Sequence, residues 1–175
     1  MPGRTGGRGA GGALPMRKKD PATPRSAYQR GIDLLARREY SQRELRQRLA
    51  ARGHDAGEAE AALGALAAHN YQSDARYAEM LARGRVAQGY GPRRIRMELA
   101  AQGITRACAQ AVMDALDHDW AQAAADLLRR RYGAALHTAD GRARAAQFLL
   151  RRGFDAATVR SATRTELDEA ADGDD

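Results

Sequence analysis

Three helix-ending tripeptides recur at one interval along the chain: Arg52-Gly53-His54, Gln102-Gly103-Ile104 and Arg152-Gly153-Phe154, with successive glycines 50 residues apart. A glycine just past a helix can take the left-handed conformation that ends it, and the next side chain can then pack back on the last turn. Each tripeptide therefore closes a helix, and the constant interval makes the chain a repeat. Counting back from the stops, Leu45 and Leu49, Ile95 and Leu99, and Ala145 and Leu149 place an apolar i, i+4 pair at the same repeat position. The starts agree, since Ser41 with Glu44 forms a capping-box pattern and Pro92 after Gly91 suits a first helical turn. Beyond each stop, Ala59, Leu63 and Leu66, then Ala109, Met113 and Leu116, then Val159 and Thr163 stripe a following helix. The segments Ala27–Arg38, Asp74–Ala87 and Asp119–Arg131 supply a helix before each unit. The predicted fold is all-α: tandem three-helix repeats over 27–70, 71–117 and a diverged 118–167, forming an elongated curved array. A fifty-residue period is longer than that of tetratricopeptide or ankyrin arrays.

Composition supports helix over strand, because Ala and Leu dominate the 43% of apolar residues and aromatics are only 5%. The formal charge of +7 is unevenly placed. Residues 1–26, Gly- and Pro-rich without periodicity, carry +5 and are expected to form a disordered basic arm. From Glu166 onward the charge is −6, with 168–175 an acidic tail, which leaves +8 on residues 27–165. The basic character thus belongs to the folded part and points to a polyanionic partner. A plainer account uses the same numbers. Only Lys18 and Lys19 among the 29 bases are lysines, so a GC-rich genome and ordinary solvation of helix faces would produce them too.

Signals for catalysis are missing. Cys108 is the single cysteine and reads as a small buried residue, while His54, His69, His118 and His137 lack metal-ligand spacing. Gly89-Tyr90-Gly91 has neither the preceding strand nor the following Lys of a phosphate loop. No stretch reaches membrane-span length, and the N-terminus lacks the apolar core of a secretory signal. A cytoplasmic, monomeric protein that is not an enzyme and holds no cofactor or metal is expected.

The most distinctive local pattern runs from Asn70 to Ile104. It comprises Tyr71-Gln72-Ser73-Asp74-Ala75-Arg76-Tyr77-Ala78, then Arg83 and Arg85, then Gly89-Tyr90-Gly91-Pro92-Arg93-Arg94-Ile95-Arg96, Glu98-Leu99 and Gly103-Ile104. This resembles the middle of the RecX family of RecA recombinase regulators. Tyr40-Ser41, Glu44-Leu45, Leu49 and Gly53 resemble the same family's first repeat. The resemblance covers residues 27–117 well and the remainder weakly. It implies tandem three-helix repeats that bind the RecA–single-stranded DNA filament and restrain its growth or activity in DNA repair and recombination, without catalysis. The arm stands outside the family pattern, and Gln72 stands where the family more often has an apolar residue.

Candidate contacts follow from the repeat. Arg93, Arg94 and Arg96 straddle Ile95 and Leu99, so packing that pair inward turns the guanidinium groups toward solvent, and Arg43 and Arg46 occupy the positions of Arg93 and Arg96 one repeat earlier. Basic residues at equivalent places would line one face of the array, suited to a phosphate backbone. Isolated basic residues on helices are also common surface charge. In the third unit the equivalents are Ala143 and Ala146, with Arg142 and Arg144 adjacent. Arg83 and Arg85 with Arg76, and the run Arg129-Arg130-Arg131, are secondary candidates, although three consecutive residues cannot share one helix face. Asp74 reads as the N-cap of the helix after it rather than as a metal ligand. Tyr90, equivalent to Tyr40, is a packing residue or a base-stacking platform, and Trp120 an anchor between units two and three. The rival function is a sequence-specific regulator, because Ser41–Leu66 or Pro92–Leu116 could pass for helix-turn-helix units. Such a protein would dimerise and prefer one site. A helical scaffold for some other protein is a third reading, and it would show no salt-sensitive effect of nucleic acid.

Overall fold

The computed structural model describes residues 25–171, with side chains through Arg164. Among them are nine α-helices and no strand: α1 (Ala27–Leu35), α2 (Gln42–Ala50), α3 (Ala56–Ala68), α4 (Asp74–Ala87), α5 (Pro92–Ala101), α6 (Arg106–Ala115), α7 (Trp120–Tyr132), α8 (Ala139–Arg152) and α9 (Ala156–Ala171). A 3-10 turn, Gly133–His137, which the repeat pattern does not foretell, joins α7 to α8. Of the expected arm, residues 1–24 lie outside the described residues, as does the acidic tail beyond Ala171. Arg25 and Ser26, read as the end of the arm, belong instead to unit one. Ser26 caps α1 in a reciprocal box with Gln29, and Arg25 pairs with Asp33.

All three stops adopt the expected geometry. Gly53, Gly103 and Gly153 have φ of +86°, +80° and +90°. The amides of His54, Ile104 and Phe154 then donate back to the carbonyls of Leu49, Leu99 and Leu149 at 3.3, 3.1 and 3.1 Å. The six anchor residues, Ala145 included, are all 0% exposed. Full burial of a Leu or Ile side chain contributes about 1.5–3 kcal/mol, so these helices are held by their inner stripe rather than by intrinsic propensity. Helix α1 is shorter than its pattern. It ends at Leu35, and Arg38 leaves the helix to donate to Glu44 and to lie 3.7 Å above the Tyr40 ring.

Helix packing is concentrated within units, α1 with α3, α4 with α6 and α7 with α9, and successive units meet at helix ends. At the junction of units two and three, the C-terminus of α8 abuts the N-terminus of α5. The amides of Gly91 and Arg93 donate to the carbonyls of Arg152 and Gly153 at 2.8 and 3.0 Å. Free amides at one helix end thereby satisfy free carbonyls at another, and the two dipoles align head to tail. The corresponding ends of α2 and α5 meet more loosely, with Ser41 Oγ donating to Gln102 Oε1 at 3.3 Å. The second helices of the three units thus form a row. At its α8 end the chain closes the row itself, because the Ala135 carbonyl and the Thr138 side chain fill the space beside Gly141. Trp120 packs against the cores of both unit two and unit three, as an anchor at that junction should.

Two polar readings need correction. Ser73, not Asp74, caps α4, its hydroxyl accepting from the Arg76 amide. Asp74 instead reaches across to unit one, where Oδ1 accepts from the Gln42 amide in the first turn of α2 at 2.9 Å and from Gln72 Nε2 at 2.8 Å. Buried Gln72 also donates to the Tyr40 carbonyl at 3.2 Å, so an amide at this place ties two units together. The second correction concerns Ser41, which makes only half of a capping box: its Oγ accepts from the Glu44 amide, while the Glu44 carboxylate turns to Arg38 and Arg48. Asp74→Ala is expected to cost about 0.5–2 kcal/mol, the range for losing a helix cap. Urea unfolding followed by circular dichroism measures this, and an unchanged midpoint would show that water replaces the carboxylate without cost.

Candidate nucleic-acid and partner interface

The seven arginines singled out from the repeat sit on the outer faces of α2, α4 and α5, and the structure divides them by their partners. Ile95 and Leu99 are buried, and Arg93, Arg94 and Arg96 are exposed beside them, as are Arg43 and Arg46 beside Leu45 and Leu49. Arg43, Arg93 and Arg96 have no ion-pair partner among the described residues. Arg83 approaches Glu79 only at 4.0 Å, with 74% of its side chain exposed. The other three are engaged. Arg46 grips Glu60, one of its two contacts being 3.1 Å, and Arg85 and Arg94 converge on Glu98 at 2.6 and 2.7 Å.

These pairs shift the acids as well. The hydrogen bond from Arg46 holds Glu60 below the usual carboxylate range. Burial pushes Glu98 up, but hydrogen bonds from Arg85 and Arg94 together outweigh it and leave that carboxyl low. Asp155 is lowered chiefly by the Thr158 amide, and Arg93 adds to the effect across the junction of units two and three.

Arg96 is unpaired while Arg46 is paired because the repeat is imperfect. Fifty residues after Glu60 stands Gln110, which donates to Asp114 at 2.6 Å instead. The accessible positive charge of these helices is therefore concentrated on Arg43, Arg93 and Arg96, which stand on α2 and α5, second helices that meet end to end. Arg129, Arg130 and Arg131 part company as their spacing requires. Arg129 pairs with Asp126, Arg130 lines the cleft beside His118 and Asp119, and Arg131 lies 4.9 Å over the Phe148 ring.

Tyr40 and Tyr90 are packing residues. Tyr40 is buried with Arg38 and Arg48 against its ring, and Arg152, Arg85 and Arg94 surround half-buried Tyr90 at 4.8, 5.8 and 5.9 Å. Tyr40, so enclosed, offers no free face to a base, while Tyr90 also lines the cleft that holds His118 and Arg130. Among the described residues no group of three or more His, Cys, Asp and Glu is placed to hold a metal ion. Half-buried Cys108 has its thiol pushed up by burial, and His118 packs edge-on against Trp120. No described helix is long and apolar enough to cross a membrane.

Comparison with known proteins matches this arrangement unit by unit. Family models for the first, second and third three-helix domains of RecX match residues 27–66, 73–113 and 117–163. The third unit, in which the sequence resemblance is weak, is matched like the others. The Regulatory protein RecX of Stenotrophomonas maltophilia (strain K279a) is 41% identical over 157 residues, 89% of this chain and 96% of that protein. That of Xanthomonas campestris pv. campestris (strain B100) is 42% identical over 147 residues, 81% of this chain and 88% of that protein. The crystal structure of RecX from Lactobacillus salivarius superposes with a TM-score of 0.71 at 20% identity, covering 81% of this chain and 94% of that one.

Proposed function

The chain belongs to the RecX family, and from that premise we propose that it regulates a RecA recombinase by lying along the RecA–single-stranded DNA filament and restraining it. The observation that carries the reading is the set Arg43, Arg93 and Arg96, exposed on successive second helices and without an ion-pair partner among the described residues. A helical row that repeats its charges suits a partner that repeats its own subunits and phosphates. Protein contacts supply specificity and phosphate attraction supplies part of the affinity and the encounter rate. Arg83, on α4, adds to the basic surface. Arg46, Arg85 and Arg94 serve first to fix α2 and α5 through Glu60 and Glu98, and exchange their carboxylates for phosphate only secondarily. The protein acts in the cytoplasm as a monomer, without a catalytic step.

The test adds the protein to filaments already assembled on single-stranded DNA, with excess RecA and no exposed strand. Substoichiometric protein should slow DNA-dependent ATP hydrolysis and strand exchange, because a body several helices long bridges neighbouring protomers. If preformed filaments neither bind it nor change their turnover, while bare DNA does bind it, the filament reading gives way to general DNA binding.

A further inference from the structure

We propose that unit three carries a separate subsite for a short stretch of unpaired strand, in the groove between the end of α7 and the outer face of α8. Three observations converge there. The first is charge: residues 118–167 hold nine arginines against five acids, whereas 27–70 hold seven against six and 71–117 seven against five. The excess is thus greatest in the unit that lacks the Arg43 and Arg93 positions.

The second is geometry. A groove of about 370 Å³ is lined by Tyr132, Ala143, Arg144, Gln147 and Arg151. Residues 144, 147 and 151 lie at i, i+3 and i+7 on α8 and share one face, with Arg144 and Arg151 about 10.5 Å apart along the axis. Adjacent phosphates of a single strand lie closer together than this, so Arg144 and Arg151 suit phosphates two apart, and Gln147 between them has donors and an acceptor for a base edge. Arg151 has no ion-pair partner among the described residues, and Arg144 pairs only with Asp140, both side chains being mostly exposed. An exposed pair of this kind is held weakly and can be exchanged for a phosphate.

The third is an aromatic surface. Tyr132 is half-buried, its ring 5.7 Å from Phe148, its hydroxyl donating to the Arg144 carbonyl at 3.4 Å. It is fixed on one side and lines the groove on the other. The Tyr40 ring is occupied by the protein's own arginines, whereas Tyr132 stands beside a groove whose other lining includes Arg144 and Arg151. A fixed aromatic flanked by guanidinium groups is the chemistry that binds a single strand by stacking, tolerant of sequence and closed to paired bases.

The subsite extends the single-strand part of the function proposed above and can be tested without RecA. The full chain is titrated against fluorescent oligo-dT, an abasic phosphodiester of the same length, and a duplex of the same length. Oligo-dT should bind roughly tenfold tighter than the abasic strand, the size of one stacking contact. Tyr132→Ala should abolish that preference without changing affinity for the abasic strand, and Tyr132→Phe should retain it. Arg151→Glu, at an exposed position that leaves the core alone, should weaken both single strands. Equal binding of oligo-dT and the abasic strand by the unaltered protein overturns the proposal, as does a Tyr132→Ala protein of normal helicity that keeps the preference. If Tyr132→Ala does not fold, unchanged affinity in Arg151→Glu overturns it alone. Loss of the effect on RecA with the oligo-dT preference intact rejects the filament reading and leaves the subsite standing.

Discussion

Replacing Gly91 by alanine is expected to destabilise the protein by about 1–3 kcal/mol, the usual range for forcing extra atoms into a packed contact. A Cβ there would lie 2.5 Å from the Gly153 carbonyl carbon and overlap the Phe154 amide nitrogen. Both obstacles are backbone, so no side chain can swing away to relieve them. The clash would pull α5 off α8 and break the bonds from Gly91 and Arg93 to the Arg152 and Gly153 carbonyls. Ser41 stands at the same position in unit one without conflict because the ends of α2 and α5 meet through side chains. A contrast comes from Gly84, inside α4, where nothing lies within 4 Å of an added Cβ. There alanine should stabilise by about 0.5–1 kcal/mol, since a helical glycine costs backbone entropy. Urea melts of the two variants should therefore move in opposite directions, and small-angle scattering should show unit three reoriented only in Gly91→Ala. A Gly91→Ala protein as stable as its parent, with the parental scattering curve, would mean that the end-to-end junction does not exist in solution.

What the sequence discloses and what it hides divide along the range of the interaction. The stops at Gly53, Gly103 and Gly153 are legible because a left-handed residue after a helix is a local backbone requirement. The buried anchor pairs are legible because one side of each helix must be apolar. Even Ala145, which weakens the sequence pattern of unit three, is as buried as its counterparts. Asp74 escapes the local rule for caps because that rule cannot see a second helix. Ser73 already satisfies α4, which leaves the carboxylate to serve α2 across the junction. The arginines escape it the same way. Spacing makes Arg46 and Arg96 equals, yet Glu60, on the following helix, neutralises the first and Gln110 spares the second. A signal does exist: aligning residues 60 and 110 as repeat equivalents exposes the change of charge. No such signal marks the 3-10 turn or the groove beside Tyr132, since both arise where unit three departs from the repeat.

That division of the arginines yields the sharpest test of the basic face. Arg93→Ala with Arg96→Ala should weaken binding to single-stranded DNA and flatten the dependence of log affinity on log salt by up to about 1.4, that is about 0.7 for each phosphate no longer engaged. Integrated down from molar salt, this is about tenfold in affinity at physiological ionic strength. Helicity should not change, because both side chains are exposed and take no part in an ion pair among the described residues. Arg46→Ala with Arg94→Ala removes the same formal charge but should flatten the slope less. These two residues already hold Glu60 and Glu98, and an arginine bound to a carboxylate displaces fewer counterions from the strand than a free one. Its cost should appear instead in stability, as Glu98 loses one of the two guanidinium groups that keep it ionised. Equal loss of slope in both double variants would show that affinity follows total charge, and that pairing within the fold does not select which arginines meet the phosphates.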